Sequence, residues 1–272
     1  MEVLLTGRVF GESVRWHDGR IWLSDWGTGE IVSVYADGSG EESIRLPFDD
    51  FPFCFDWLPD GRMLIVSSSG QPLLRREADG SLVEHVEAAK LAGYQWNEIV
   101  VDGRGNAYIN GASFHPEGGG GAGGVVFLVR ADGLVRQAAD GIAFPNGMAV
   151  GFDNKTLIVA ESHGKRLTAF DIGVDGGLVN RRVWAELGDG VPDGISMDEK
   201  GALWYADVPN KRCILVREGG EELQTIRLDR GAFSCALGGK GGHTLFIAAT
   251  IWRGMNEPFA GPPSGMLLAV DL

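Results

Sequence analysis

The sequence predicts an all-β fold, a six-bladed β-propeller of four-stranded antiparallel blades, and three observations carry that expectation. Glycine stands at 42 of the 272 positions, so turns are dense and long windows of helical periodicity are scarce. A turn rich in Asp, Gly or Asn, followed by an apolar β-rich run, occurs six times. The apolar runs begin near positions 21, 63, 107, 157, 203 and 245, at intervals of roughly 40–50 residues. A sandwich of irregular strands does not explain that period, whereas a propeller of repeated meanders does.

The six copies read HDGRIWLSDW (17–26), PDGRMLIVSSS (59–69), DGRGNAYINGAS (102–113), DNKTLIVAES (153–162), DEKGALWYADV (198–208) and GKGGHTLFIAAT (239–250). A further strand with its own turn follows most of them, as in EIVSVYADGSGE, GVVFLVRADGLV, RLTAFDIGVDGG and CILVREGGEE. Each unit is therefore strand, tight turn, strand, loop, strand, turn, strand. The last copy ends at MLLAVDL without an outermost strand, and MEVLLTG at the other terminus supplies one, closing the last blade. A single domain over 1–272 holds all six. The one helix expected is short, within SLVEHVEAAKLAG (81–93).

The hydrophobic share of 44% suffices for a packed core, and the net charge of −13 argues against nucleic acid and anionic membranes as partners. The first residues show neither the charged start nor the apolar core of a signal peptide, and no run reaches the length of a membrane helix. Cys54, Cys213 and Cys235 are odd in number, far apart and without C-x-x-C spacing, which points to reduced thiols and a cytoplasmic protein. The expected partner is a small-molecule substrate; nothing in the sequence fixes an oligomeric state.

In a propeller the first strand of each blade lines the central axis. Counting back about ten residues from each apolar run reaches the start of that strand, where Glu12, Cys54, Asn97, Asn146, Asp193 and the Ser234-Cys235 pair stand. Two of these starts share a frame, PNGMAV at 145–150 and PDGISM at 192–197. Taken singly, each polar residue reads as a turn or strand cap. Taken together, Glu12, Asn146 and Asp193 form an oxygen donor set with two negative charges, suited to a hard divalent cation. Ca²⁺ comes first, with Mg²⁺, Mn²⁺, Zn²⁺ or Fe²⁺ as alternatives. The loops after the second strands share that end of the molecule and are the expected seat of substrate choice; they carry Trp26, His115, His163, Trp252 and Arg253.

No G-x-S-x-G elbow is present for Ser/His/Asp catalysis, and the histidines show no H-x-x-x-H spacing. GGGGAGG at 118–124 lacks the Lys-Ser/Thr of a phosphate loop and reads as a loop over the pocket. Cys54 reads as a buried, inert thiol and the tryptophans mainly as packing between blades.

The segments GESVRWHDGRIWLSDW, NEIVVDGRGNAYI, FPNGMAVGFDNKTLIVAES, PDGISMDEKGALWYADV and FSCALGGKGGHTLFIAAT, in that order along nearly the whole chain, resemble the SMP-30/gluconolactonase family, also called regucalcin-like or lactonase-drp35-like. The resemblance implies a six-bladed propeller with one divalent metal on its axis, held by Glu12, Asn146 and Asp193, with Asn97 near metal and substrate. The family's sugar-lactone hydrolases carry Arg two residues before that Asn; here Gln95 stands there, which puts a polyhydroxylated substrate in doubt. The expected activity is metal-assisted hydrolysis of a lactone, with Asp193 as general base and Asn97, Gln95, Trp26, His163 and His115 against the substrate. The alternatives are an aryl esterase or phosphotriesterase on the same scaffold, or a non-catalytic calcium- or ligand-binding propeller.

Overall fold

The computed structural model describes residues 1–48, 51–68, 73–113, 123–254 and 256–272. In chain order the strands are β1 (Glu2–Arg8), β2 (Gly11–His17), β3 (Arg20–Asp25), β4 (Glu30–Tyr35), β5 (Glu42–Arg45), β6 (Phe53–Trp57), β7 (Met63–Ser67), β8 (Leu73–Arg76), β9 (Leu82–Glu84), β10 (Tyr94–Val101), β11 (Ala107–Ser113) and β12 (Gly124–Val129). They continue as β13 (Val135–Ile142), β14 (Pro145–Val150), β15 (Thr156–Glu161), β16 (Arg166–Ile172), β17 (Leu178–Glu186), β18 (Pro192–Met197), β19 (Leu203–Asp207), β20 (Arg212–Val216), β21 (Glu222–Arg227), β22 (Gly231–Gly238), β23 (Thr244–Thr250) and β24 (Gly265–Asp271). They form six four-stranded sheets, β2–β5, β6–β9, β10–β13, β14–β17, β18–β21 and β22–β24 with β1, the blades of a six-bladed β-propeller fold. As expected, β1 pairs antiparallel with β24, with Val3 opposite Leu268.

The repeated turns work through positive φ. Asp18 (φ 48°) and Gly19 (φ 74°) make the two-residue hairpin between β2 and β3, the conformation for which Asp-Gly is favoured. In the longer copies the aspartate closes the turn with its side chain: Asp102 Oδ1 accepts the N–H groups of Arg104 and Asn106, and Asp198 Oδ1 those of Lys200 and Ala202.

The chain divides into two compact units, Met1–Asp49 with Ala185–Leu272, and Asp50–Trp184. Within the first, Val14, Ile21 and Val32 pack on Phe246 and Leu267 between two blades, and Trp204 and Cys213 pack on Cys235 and Ile247 between the next two. Within the second, Cys54, Leu64 and Trp96 share a core with Ile109 and Phe127, and Tyr108 and Val126 share another with Met148 and Val159. These are the inter-blade layers that the β-rich runs supply.

The expected helix over 81–93 does not form. Leu82–Glu84 is the outer strand β9, paired with β8 through Val83 opposite Arg75, and only Ala88–Leu91 makes a single 3-10 turn. The open edge of β8 recruits this segment into a ladder, and Trp96 Nε1 donates to Leu91 O (3.0 Å), tying the turn to β10. Among the described residues no helix is long and apolar enough to cross a membrane.

Candidate functional site

In the unit formed by Met1–Asp49 and Ala185–Leu272, two carboxylates stand at matching places in two blades. Glu12 lies near the start of β2 and Asp193 near the start of β18, only 6% and 9% exposed. Both sit where the ladder to the second strand slips, between Glu12 and Arg15 and between Pro192 and Ile195. Such a bulge takes residues out of the pairing and re-aims their side chains. Asp193 is one of those passed over in β18, whereas Glu12 still pairs with Ser24 and directly precedes the two passed over in β2, Ser13 and Val14. Beside Glu12, Ser13 adopts φ 53°, which costs an L-residue about 1–2 kcal/mol, and its N–H donates to Glu12 Oε2 (3.0 Å).

Pro192 needs no ladder donor at the first position of β18. Gly194 is required by packing: a Cβ there would lie 2.6 Å from Ser234 Oγ and 2.7 Å from Ser234 Cα. Ser234 Oγ in turn accepts the Val14 N–H (2.9 Å), so β2, β18 and β22 are knit around this point. Cys235 beside it is a buried free thiol, and burial together with the nearby Cys235 pushes the Cys213 thiol well above its ordinary value.

In the unit Asp50–Trp184 the same break occurs at Pro145/Met148 in β14 and at Trp96/Glu98 in β10, and it sets out Asn146 and Asn97. Here the polar groups bond to one another. Asn97 Nδ2 donates to Asn146 Oδ1 (3.2 Å), Asn146 Nδ2 to Ser162 Oγ (3.4 Å), and Asn110 Nδ2 to the Asn146 carbonyl (2.6 Å). Asn110 is fully buried, and its Oδ1 has no hydrogen-bond partner among the described residues. Glu98, also buried, accepts the Ile99 N–H (2.8 Å) and is in contact with the Cys54 thiol. Cys54 is thus a buried, hydrogen-bonded thiol.

Phe144 precedes Pro145 at φ 62° and is 46% exposed, stacked on His163 with ring centroids 4.4 Å apart. A bulky residue before proline ordinarily stays extended. Two backbone bonds hold it otherwise, Phe144 N–H to Ile142 O (2.9 Å) and Ser162 N–H to Phe144 O (3.1 Å).

Of the other expected substrate residues, His163 is exposed, and Gln95 is exposed while pairing with Ala112. Trp26 is half-buried and stacks on Phe10 at 5.2 Å; Phe10 also meets Phe233 and Trp252, forming an aromatic group next to Glu12 in sequence. His115 lies outside the described residues. Asn110, Glu98 and Phe144 escaped sequence reading because each matters through a partner in another strand.

Among the described residues no three His, Cys, Asp or Glu side chains converge as metal ligands. Glu12 and Asp193 with the Asn146 carboxamide would present oxygen donors alone. That oxygen-only donor chemistry fits a hard divalent cation.

The family described as SMP-30/Gluconolactonase/LRE-like region matches residues 10–251. Regucalcin of Danio rerio is 30% identical over 129 residues, 46% of this chain and 44% of that protein, so the match spans about half the length of that relative. Two solved structures share the fold along nearly the whole chain. Regucalcin of Agrobacterium tumefaciens, described as a calcium-binding protein, has TM-score 0.81 at 21% identity, covering 99% of this chain and 92% of that one. A gluconolactonase from Xanthomonas campestris has TM-score 0.74 at 22% identity, covering 98% and 89%.

Proposed function

Because the chain belongs to the SMP-30/gluconolactonase/LRE-like family, we propose that it is a divalent-cation-dependent hydrolase that opens a lactone. Glu12, Asn146 and Asp193 are the proposed ligands, with Ca²⁺ as first candidate, and Asp193 doubles as general base. The observation that carries this reading is the pair of buried carboxylates, Glu12 and Asp193, standing at bulges at equivalent places in two blades. Burying two carboxylates is costly unless a cation or strong donors compensate them. When bound, a divalent cation supplies Lewis acidity and acidifies water.

The chain's own residues do the rest. Asp193 takes a proton from the water that attacks the carbonyl carbon, and returns it to the ring oxygen as the C–O bond breaks, so lactone and water yield a hydroxy acid. Asn97 orients the substrate through its carboxamide. His163 with Phe144, and Trp26 with the aromatic group around Phe10, offer ring faces to an apolar substituent. With Gln95 where the sugar-lactone hydrolases carry Arg, the favoured substrate is less hydroxylated than a sugar lactone.

Asp193→Ala tests the reading: cation-dependent lactone hydrolysis should disappear while far-UV circular dichroism stays unchanged, and full activity in that variant overturns the role. The aromatic group also favours a second reading, hydrolysis of aryl esters. Rates on lactones, aryl esters and phosphotriesters with each metal separate the two, and no turnover with any metal leaves a binding protein.

A further inference from the structure

A second carboxylate set runs through the fold. Asp25, Glu161 and Asp207 end β3, β15 and β19, and each is fully buried. The ladders put them opposite Gly11, Pro145 and Pro192, the residues directly before Glu12, Asn146 and Asp193. Each carboxylate reaches back to the backbone that leads into its own first strand. Asp25 accepts the N–H groups of Val9 (3.1 Å) and Phe10 (3.0 Å). Glu161 accepts that of Ala143 (2.8 Å), and Asp207 that of Val191 (3.4 Å). The corresponding strands of the other three blades, β7, β11 and β23, end in Ser67, Ser113 and Thr250, with no carboxylate.

We propose that Asp25, Glu161 and Asp207 are positioning residues, each holding the backbone that presents one cation ligand, so that this anchor occurs only in ligand-bearing blades. The inference rests on the ligand set proposed above. Its physical basis is local. A bulge, and in two blades a proline, removes ladder bonds where the ligand side chain must be aimed, and a two-oxygen acceptor can fix the loosened backbone from the neighbouring strand. A serine or threonine hydroxyl offers one short acceptor and cannot span two N–H groups. The remaining carboxylate bonds serve stability instead: Glu161 meets Arg166 (3.0 Å) and Arg181 (3.2 Å), and Asp207 meets Arg212 (2.9 Å).

This division supplies the test, made on the full chain with Mn²⁺ as probe, binding read by electron paramagnetic resonance and metal-free melting temperature measured alongside. Asp25→Asn, which leaves one acceptor oxygen for two backbone N–H groups and turns an N–H donor on the other, should weaken Mn²⁺ binding about 10–100-fold, with Glu161→Gln next and Asp207→Asn smallest. Melting temperature should follow a different order, with Glu161→Gln lowest because two arginines lose their charged partner. Arg181→Ala should lower the melting temperature and leave the affinity within about twofold of wild type, and Thr250→Val, at the same place in a blade without a proposed ligand, should also leave the affinity within about twofold. If affinity tracks melting temperature across the set, if Arg181→Ala costs as much affinity as Glu161→Gln, or if folded Asp25→Asn binds like wild type, the positioning role is overturned. Should Asp25→Asn not fold, the contrast between Glu161→Gln and Arg181→Ala decides alone. Glu12→Gln and Asp193→Asn keep the two proposals apart: both should weaken Mn²⁺ binding more than any anchor variant, because each removes a ligand charge and keeps an oxygen, and wild-type affinity in them overturns the cation reading itself.

Discussion

The two compact units use one backbone device for different chemistry. In the unit of Met1–Asp49 and Ala185–Leu272, carboxylates stand at the breaks in β2 and β18, Glu12 and Asp193, both nearly shut off from water. In Asp50–Trp184, the breaks in β10 and β14 set out carboxamides, Asn97 and Asn146, which bond to each other and to Asn110 and Ser162. β14 and β18 share the Pro-x-Gly frame, and within it one side chain changes from neutral to charged. The difference teaches that the bulge decides where a group points and the residue within it decides what the group does.

The largest test of that contrast removes the charge and keeps the shape. Asp193→Asn should lower kcat on a lactone by about 10²–10⁴-fold, the usual worth of a general base, in steady-state assays, whereas Asn97→Ala should chiefly raise KM. An equal loss in both would erase the distinction between the units. Next comes the core behind the carboxamide side. Trp96→Ala should destabilise the protein by about 3–5 kcal/mol in chemical denaturation, since the ring is fully buried and donates to Leu91 O.

Gly194→Ala should cost about 1–3 kcal/mol and disturb Asp193, because its Cβ would press on the Ser234 backbone; a neutral outcome by thermal melting would mean that β18 can shift freely. The smallest effect is one of pH. Burial alone would raise the Glu161 carboxyl, but donors from Arg166, Thr168 and the Ala143 N–H outweigh it and hold the group below its ordinary 4.5. Its contribution to stability is therefore complete above about pH 4.5 and falls away as pH drops through the lower folded-state value. Glu161→Gln should flatten that acid limb in melting curves taken from pH 6 down to about pH 3.

Period and turn chemistry made much of this legible without coordinates. The Asp-Gly signals fell on hairpins and the apolar runs on second strands, because these features are set by neighbours along the chain. Counting back reached the second residue of four first strands, at Glu12, Cys54, Asn146 and Asp193, whereas Asn97 and the Ser234-Cys235 pair fall in the middle of the longer β10 and β22. The closing role of MEVLLTG followed from one copy being a strand short. The misjudged stretch, 81–93, had local helical content, but β8 had an edge to fill, and ladder pairing outweighed propensity.

The residues behind the candidate ligands depend on contacts between strands. Asp25, Glu161 and Asp207 occupy the same column of the repeat and could be seen there, yet in sequence they look like strand-end residues beside turns. Only the folded chain shows them buried and bonded to the backbone ahead of Glu12, Asn146 and Asp193. Likewise the Asn110 bond to the Asn146 carbonyl and the Glu98 contact with Cys54 join residues 36 and 44 positions apart. The sequence by itself determined the blades and the first-strand positions that carry the candidate ligands, since turn geometry and side-chain alternation are local. The tertiary structure decided how firmly those positions are held, since burial and the closing of buried hydrogen bonds exist only once distant strands meet.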